Sequence, residues 1–318
     1  MNTCTTASRE LEEPLAGTAA TARTWLLIEQ PGPWGAKALV SSHLDPEVGR
    51  ALEAAADGTG VRVALIRRPG RHADHHASQR HQVYVAHTVP GKTWLRGTTV
   101  AAPEELLRLD FAALGAGRHG SFGAPHEGGP LAFVCTNGKR DRCCALLGRP
   151  LASELASSEG EGAWEVTHLG GHRFSPTLLV LPYGYAYGRS SAADVKETLQ
   201  AVRSDRIVLD GCRGNSAWDR PGQAAELAVR RTAAEYRAGV LSVVHTASVD
   251  RPTGPPVDAH AYNAYWDVTV DHMDGRRWTV VVARGASLPA RPESCGAALG
   301  SPARMDVVAV REVAVQRG

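Results

Sequence analysis

Residues 134–144 read VCTNGKRDRCC, and residues 168–172 read HLGGH. The two stretches together hold three cysteines and two histidines. Thiolates and imidazoles are the ligands that zinc and iron–sulfur clusters take in proteins, and few other chemistries need both side by side. The pattern therefore predicts a metal site, and the elements that flank each ligand predict the fold around it.

The cysteines follow a buried strand and precede a helix. Residues 131–134 read LAFV, an all-apolar run typical of a central strand, and its end delivers Cys135 into a loop. In open α/β sheets, binding sites form at the carboxyl ends of strands. Apolar residues recur at helical spacing after Cys144, so this thiol is predicted near a helix N-terminus, where the helix dipole favours a thiolate.

The histidines follow a second short strand. Residues 164–166 predict the strand that delivers His168. Gly170 and Gly171 argue against a helix between His168 and His172, because each glycine costs about 1 kcal/mol in a helix interior. We therefore expect a loop that wraps the metal, with glycine N–H groups able to approach the inorganic sulfide of a cluster.

Composition narrows the functional classes. The chain has 318 residues and a net charge of +2, from 35 Lys and Arg against 33 Asp and Glu, which gives no general argument for binding nucleic acid or an anionic membrane. We find no secretory signal pattern and no apolar run long enough to span a bilayer, so we expect a cytoplasmic protein. Six cysteines are too few for a disulfide scaffold. Cys4, Cys212 and Cys295 lie far apart in sequence, and we interpret them as ordinary thiols.

The order of predicted elements indicates an α/β protein. Strands are predicted at residues 25–29 and 61–66, a helix after the N-cap Asp45, and a β-hairpin around residues 273–277. Both halves begin with a strand, a loop and a helix, which favours two α/β units followed by a small β-rich C-terminal extension. The predicted division is a flexible N-terminus at 1–22, an α/β domain at 23–114, a linker at 115–130, a second domain at 131–240 and the extension at 241–318.

Three stretches carry a resemblance to a known family. They are FVCT at 133–136, RDRCCA at 140–145 and HLGGHRF at 168–174. They resemble the sucrase/ferredoxin-like family of thioredoxin-like [2Fe–2S] proteins. The resemblance covers most of residues 9–235, and no motif of the family is found in the tail beyond about residue 240.

The resemblance implies a [2Fe–2S] cluster bound by two thiolates and two imidazoles, in the second of two thioredoxin-like units. Cys144 resembles the second thiolate ligand because Ala145 and Gly148 follow it as in the family's ferredoxins. The implied ligands are Cys135, Cys144, His168 and His172, with Cys143 as the alternative second thiolate and with Gly170 and Gly171 next to the cluster.

The sequence departs from the family pattern at two places. Asn137 stands where histidine is common, and residues 212–215 read CRGN where an Arg-Gly-Arg run is more usual. The second departure weakens any inference about a basic residue behind the ligands. No pair of carboxylates stands out as glycosidase machinery, so we predict no hydrolysis despite the family's sucrase label.

The sequence leaves three functions open. The leading one is one-electron transfer by a carrier protein rather than by a stand-alone enzyme. Two histidine ligands raise the reduction potential above that of all-cysteine clusters, and a solvent-facing imidazole N–H makes that potential depend on pH. The second function is a structural zinc site with the same two cysteines and two histidines. The third is a thiol oxidoreductase that uses Cys143 and Cys144, although the usual redox pair separated by two residues is missing.

Charged residues near the ligands predict a partner protein. We expect an acidic redox partner, such as a flavoprotein reductase, to dock there through electrostatic steering. The basic residues are Lys139, Arg140, Arg142, Arg149 and Arg173, opposed by Asp141 and Glu165. A separate group of histidines lies among charged and polar residues and predicts a solvated loop rather than a metal site; it consists of His72, His75, His76 and His81.

Overall fold

Runs of buried aliphatic residues build one ten-stranded mixed sheet. The structure is a computed structural model that describes residues 3–70, 80–250 and 262–313. The strands of this sheet are β1 (Thr24–Glu29), β2 (Val61–Arg67), β3 (His81–His87), β4 (Trp94–Val100), β5 (Ala124–Pro125), β6 (Leu131–Cys135), β7 (Ala163–Val166), β8 (Thr177–Leu181), β9 (Tyr185–Gly188) and β10 (Cys212–Asn215).

The two halves of this sheet repeat one arrangement. β1 pairs in parallel with β2 and antiparallel with β3, which pairs with β4 and then β5. β6 likewise pairs in parallel with β7 and antiparallel with β8, which pairs with β9 and then β10. β2 and β7 join the halves edge to edge through the antiparallel pair Ile66 and Val166. The repeat agrees with an α/β fold; the thioredoxin-like character of each half stays a prediction.

The helices begin where the sequence supplies caps. Asp45 accepts a hydrogen bond from the N–H of Glu47 at 2.7 Å with Pro46 in the first helical position, as the sequence predicts. Ser191 caps another helix in the same way. The helices are α1 (Cys4–Glu10), α2 (Pro46–Ala56), α3 (Phe111–Gly115), α4 (Arg149–Glu159), α5 (Ala192–Arg203) and α6 (Arg220–Ala233), with short 3₁₀ turns at Pro103–Arg108, Gly160–Gly162 and His172–Phe174 and a π-helical turn at Cys144–Gly148.

The Ala-, Glu- and Arg-rich stretch at 223–238 predicts a helix that ends at residue 238, whereas helix α6 ends at Ala233. The chain turns at Ala234, which takes a left-handed conformation with φ of 49°. The guanidinium of Arg230 donates to the carbonyl oxygens of Glu235 and Arg237 at 3.1 and 3.0 Å. Those side-chain hydrogen bonds satisfy carbonyl groups of the segment after the helix and stabilise the turn.

A separate four-stranded antiparallel sheet forms the C-terminal extension. The predicted hairpin around residues 273–277 is confirmed as β12 and β13. One face of α6 packs on this sheet, where Val229 shares a buried core with Val268 and Val280. Its strands are β11 (Leu241–Val249), β12 (Tyr262–His272), β13 (Arg277–Ala286) and β16 (Ala303–Val313), and the short pair β14 (Arg291–Pro292) and β15 (Leu299–Gly300) lies between β13 and β16 in the chain.

The sequence predicts a flexible N-terminus at residues 1–22, and within this stretch Cys4–Glu10 forms helix α1. Thr3 caps α1 by accepting from the N–H of Thr6 at 3.1 Å. The carboxylate of Glu13 is buried between Arg173 at 2.8 Å and Arg291 at 3.1 Å. These arginines lie far along the chain, so nothing local in the sequence indicates the contacts that Glu13 makes.

No described helix is long and apolar enough to cross a bilayer. Of the clustered histidines, His72, His75 and His76 lie outside the described residues. His81 begins β3, and its Nδ1 lies 2.7 Å from the carbonyl oxygen of Glu29.

Candidate metal centre

Cys135 stands at the carboxyl end of the central strand β6, as the sequence predicts. Every residue of β6 is buried, and the Cys135 side chain is 1% exposed. When protonated, its thiol donates to the carbonyl oxygen of Thr167 at 2.8 Å, in the segment that follows β7. The parallel pairing of β6 and β7 explains this contact, because it brings the ends of both strands to the same edge.

Cys144 begins the π-helical turn that leads into α4. Its Sγ lies 3.3 Å from Nδ1 of His172 and 3.7 Å from Oγ of Ser175. A hydrogen bond from Cys144, and after it the backbone N–H groups of Leu169 and Asn137, lower the pKa of Cys135 despite its burial. The pKa of Cys144 is raised in turn, mainly by that hydrogen bond and by its own burial. The hydrogen bond between the two thiols therefore favours the thiolate form at Cys135 and the protonated form at Cys144.

The loop between the histidines is shaped by its two glycines. Gly170 and Gly171 have φ values of 75° and 71°, in the left-handed region that favours glycine. The loop brings the rings of His168 and His172 into a stack with centroids 4.6 Å apart and planes inclined by 27°. No helix joins the two histidines, as expected, and His172 begins a short 3₁₀ turn; the wrapping of a metal by this loop stays a prediction.

The imidazoles are neutral and available as ligands. Burial, and after it the charge of His172, lowers the pKa of His168 to about 3. Burial is also the main cause that lowers the pKa of His172. Nδ1 of His168 is buried and has no hydrogen-bond partner among the described residues. A buried nitrogen left without a partner costs free energy unless something binds it, so this atom is poised to accept a ligand.

Arg213 holds the histidine loop in place through a hydrogen bond. Its fully buried guanidinium donates to the carbonyl oxygen of Gly170 at 3.1 Å and to Oγ1 of Thr18 at 3.1 Å. A Cβ at Gly171 would lie 2.2 Å from a guanidinium nitrogen of Arg213, so the close approach requires glycine. Burial lowers the pKa of Arg213 to about 9, which still leaves it charged near neutral pH. The unusual CRGN run therefore does supply a basic group next to the candidate ligands.

Cys143 faces away from the histidines. Its Sγ lies 3.2 Å from that of Cys295 and 3.6 Å from that of Cys4. Asp141 stands between the two groups of side chains, because its ligand atoms lie within 4.8 Å both of Cys144 and His172 and of the three clustered thiols. On sequence grounds Cys4 and Cys295 are interpreted as ordinary thiols, and that interpretation is wrong because both sulfurs lie against that of Cys143. Cys212 is buried in a separate core.

The structure therefore contains two adjacent groups of side chains able to hold a metal ion. One group is Asp141, Cys144 and His172, and neither Cys135 nor His168 belongs to it. It offers sulfur and imidazole nitrogen, the donors that zinc and iron–sulfur clusters bind, together with a carboxylate oxygen. A family model described as sucrase/ferredoxin-like matches residues 15–214. The chain belongs to the sucrase/ferredoxin-like family. Searches of the curated proteins and of the solved structures found no match.

Family motifs alone do not reveal every residue at this site. Arg213 follows the histidines by more than forty positions, and Cys4 and Cys295 lie outside the residues that the sucrase/ferredoxin-like model matches. Asp141 does carry a local signal, because an aspartate two residues before a turn often accepts a backbone N–H, here that of Cys143 at 2.8 Å. The long-range contacts of the other three carry no such signal.

Proposed function

We propose that this protein is a one-electron carrier that binds a [2Fe–2S] cluster. The observation that carries the proposal is the contact between two soft donors, with the Cys144 sulfur 3.3 Å from Nδ1 of His172. His168 stacks on His172, and Cys135 contacts Cys144. Two thiolates on one iron and two imidazoles on the other would use all four side chains. The family description, ferredoxin-like, supports the same chemistry.

The cluster would supply a site that gains and loses one electron, and the chain supplies its environment. Cys135 and Cys144 are each 1% exposed, so the protein excludes water from the thiolate side. N–H groups of Leu169 and Asn137 point at the Cys135 sulfur. Such hydrogen bonds to sulfur stabilise the more negative, reduced state and raise the reduction potential.

The histidine side would be the side open to solvent and to a partner. His168 is partly exposed, whereas His172 is 8% exposed. Both line a surface cavity together with Arg140, Arg173 and Glu293. An imidazole N–H at this cavity can exchange its proton with water, and the shortest route for an electron from outside leads through these rings.

Cys144 is the better second thiolate ligand. Its sulfur faces His172, whereas the sulfur of Cys143 faces Cys4 and Cys295. The opposite directions also weigh against a thiol oxidoreductase that pairs Cys143 with Cys144. Two cysteines and two histidines still satisfy tetrahedral zinc, which remains the competing occupant.

The surface beside the ligands suits an acidic redox partner. Lys139, Arg140, Arg142 and Arg149 are exposed. The two acidic residues that oppose them in sequence are buried, and Glu165 pairs with Arg67 at 2.7 Å. Arg173 is buried as well and pairs with Glu13, so it adds little to the outer surface. The exposed charged residues of this stretch are therefore basic, which favours electrostatic steering of an anionic reductase or acceptor.

Iron, sulfide and zinc analysis of anaerobically purified protein tests the proposal. We expect about two irons and two sulfides per chain, as the cluster's formula requires, and visible absorption that dithionite bleaches. A colourless protein without iron, with zinc in the ligands Cys135, Cys144, His168 and His172, would contradict electron transfer at this site.

A further inference from the structure

Three of the six cysteines converge on one point beside the candidate cluster site. The Sγ atom of Cys4 lies 3.6 Å from that of Cys143 and 3.6 Å from that of Cys295, and the last two are 3.2 Å apart. Cys4 begins α1, Cys143 precedes the π-helical turn, and Cys295 lies between β14 and β15. Cys4 and Cys143 are each 1% exposed, and Cys295 is partly buried.

The triangle of sulfurs has the dimensions of a metal site. A tetrahedral zinc ion with zinc–sulfur bonds of about 2.3 Å separates its sulfur ligands by about 3.8 Å. The observed separations, 3.2 to 3.6 Å, are close to that spacing. A disulfide would need about 2.05 Å and would leave the third thiol without a role. Three near-equal separations therefore favour one ion shared by three thiolates.

Asp141 organises the triangle and offers a fourth donor. Its Oδ1 accepts the N–H of Cys143 and its Oδ2 accepts the N–H of Cys295, each at 2.8 Å. Oδ2 lies 3.9 Å from the Sγ of Cys4, and one ligand atom from each of the four residues falls within a span of 4.8 Å. A carboxylate oxygen keeps a second lone pair after it accepts one N–H, so it can still bind a metal.

The negative charge of Asp141 in this pocket favours the binding of a cation. Asp141 is 3% exposed, and within the described part of the chain no lysine or arginine forms an ion pair with it. Burying a carboxylate beside three ionisable thiols is costly unless a positive charge is present. A divalent ion supplies that charge and accepts the thiols as thiolates, with release of their protons.

We propose that Cys4, Cys143 and Cys295, with Asp141 as the fourth donor, form a second metal site that binds zinc. This goes beyond the proposed electron-carrier function and does not depend on it. The ion would join α1 and the C-terminal extension to the loop that carries Cys144. Oγ1 of Thr5, next to Cys4, donates to the carbonyl oxygen of His172 at 3.2 Å, so an ion at this site would hold α1 against the histidine loop. The residues that match the family model, 15–214, include neither Cys4 nor Cys295.

Zinc content of the full-length protein and its variants tests this site. The protein is purified in a phosphine reductant without chelators. We expect one zinc per chain in the wild type, since the site has a single set of donors, and its loss in Cys4→Ser and in Cys295→Ser, with iron content and visible spectrum retained. Cys212→Ser is the matched control, because that thiol is equally buried and lies in another core, and it should keep the zinc. Equal zinc in all four proteins would overturn the proposal.

Two further measurements are made on the wild type, so they do not depend on whether the variants fold. X-ray absorption at the zinc edge of the wild type needs no variant, and it should show three sulfur neighbours at about 2.3 Å. A wild type that holds no zinc and takes up none when zinc is added, or one that carries a Cys143–Cys295 disulfide after thiols are blocked at lysis, would overturn the site.

Failure of the cluster proposal gives a different result. If zinc instead of a cluster occupies the histidine site, the wild type holds two zincs and Cys4→Ser holds one. Cys135→Ser provides the reverse control, because it removes a ligand of the histidine site alone. It should lose the iron, or the corresponding zinc, and retain the zinc at the three thiols.

Discussion

The Sγ atom of Cys144 lies 3.3 Å from Nδ1 of His172, in contact across 28 positions of the chain. The neighbouring sulfur of Cys143 points to two other thiols instead. One peptide unit therefore separates side chains that belong to different groups of metal-capable residues, and substitution can distinguish the two cysteines.

Substituting the adjacent cysteines should separate two functions. Cys144→Ser removes a thiolate from the proposed cluster, so we expect iron content to fall at least several-fold and the visible spectrum to bleach or shift. Cys143→Ser should leave iron content within about 20% of the wild type, because its sulfur lies outside the proposed ligand set. Iron analysis and absorption spectra of both variants check this. The opposite pattern, with iron lost in Cys143→Ser alone, would reassign the ligand.

Arg213→Gln should loosen the histidine loop. The shorter amide cannot reach both the carbonyl oxygen of Gly170 and Oγ1 of Thr18, and a buried acceptor left without a donor costs up to about 1–3 kcal/mol. We expect a lower melting temperature and a several-fold faster loss of iron to a chelator. Arg230→Gln is the matched control, because Arg230 is also fully buried but bonds Glu226 and Tyr185 in another core. It should destabilise the fold without faster iron loss below the melting transition; equal chelator rates in the two variants would leave Arg213 no specific role.

The reduction potential should fall as pH rises. The reduced cluster is more negative, so it holds a proton on a ligand imidazole more tightly than the oxidised cluster does. The slope approaches about −59 mV per pH unit where one proton accompanies one electron. Potentiometric titration between pH 6 and 10 measures it, and His168→Cys should flatten the curve if the partly exposed ring carries the proton. A potential that is flat over this range in the wild type would argue against histidine ligands open to solvent.

The exposed surface near the ligands should determine how fast an acidic partner protein associates. Leu146 and Leu147 are 52% and 38% exposed on the π-helical turn, next to exposed Lys139 and Arg149. We expect Lys139→Glu with Arg149→Glu to lower the bimolecular rate of electron transfer from an acidic flavoprotein reductase by about tenfold at low salt, and we expect the wild-type rate to fall as salt rises.

The matched control for that surface changes the same net charge elsewhere. Arg50→Glu with Arg108→Glu alters two exposed arginines in the N-terminal half of the chain, on α2 and on the 3₁₀ turn that packs near it. Stopped-flow rates for this pair should stay close to the wild type. Equal loss of rate in both double variants would indicate a general charge effect rather than a docking surface.

Local sequence signals predicted much of the fold. The apolar run at β6, the Asp45-Pro46 cap and the Asp-Gly turn each depend on neighbours a few residues away, and each is observed. Strands β9 and β10 were not predicted, because their short, glycine-containing sequences carry no clear alternation. Such strands form because an existing sheet edge supplies their hydrogen-bond partners.

The residues of the candidate site also differ in whether local sequence predicts them. The four candidate ligands stand out because they fall in two short motifs, whereas Arg213 and Cys295 reach the site only through the fold. Cys295 meets Cys143 across 152 positions, a pairing that spacing in one sequence cannot indicate. The buried salt bridges of Glu13 bring the N-terminal and C-terminal segments together, and they became visible only with the tertiary structure.

Pulsed EPR of the dithionite-reduced protein tests the central claim most directly. With histidine labelled with ¹⁵N, we predict a [2Fe–2S] signal coupled to two ¹⁵N nuclei, from the ligand nitrogens of His168 and His172. A reduced cluster without strong histidine nitrogen coupling, or a protein with no cluster signal and no iron, would contradict the account.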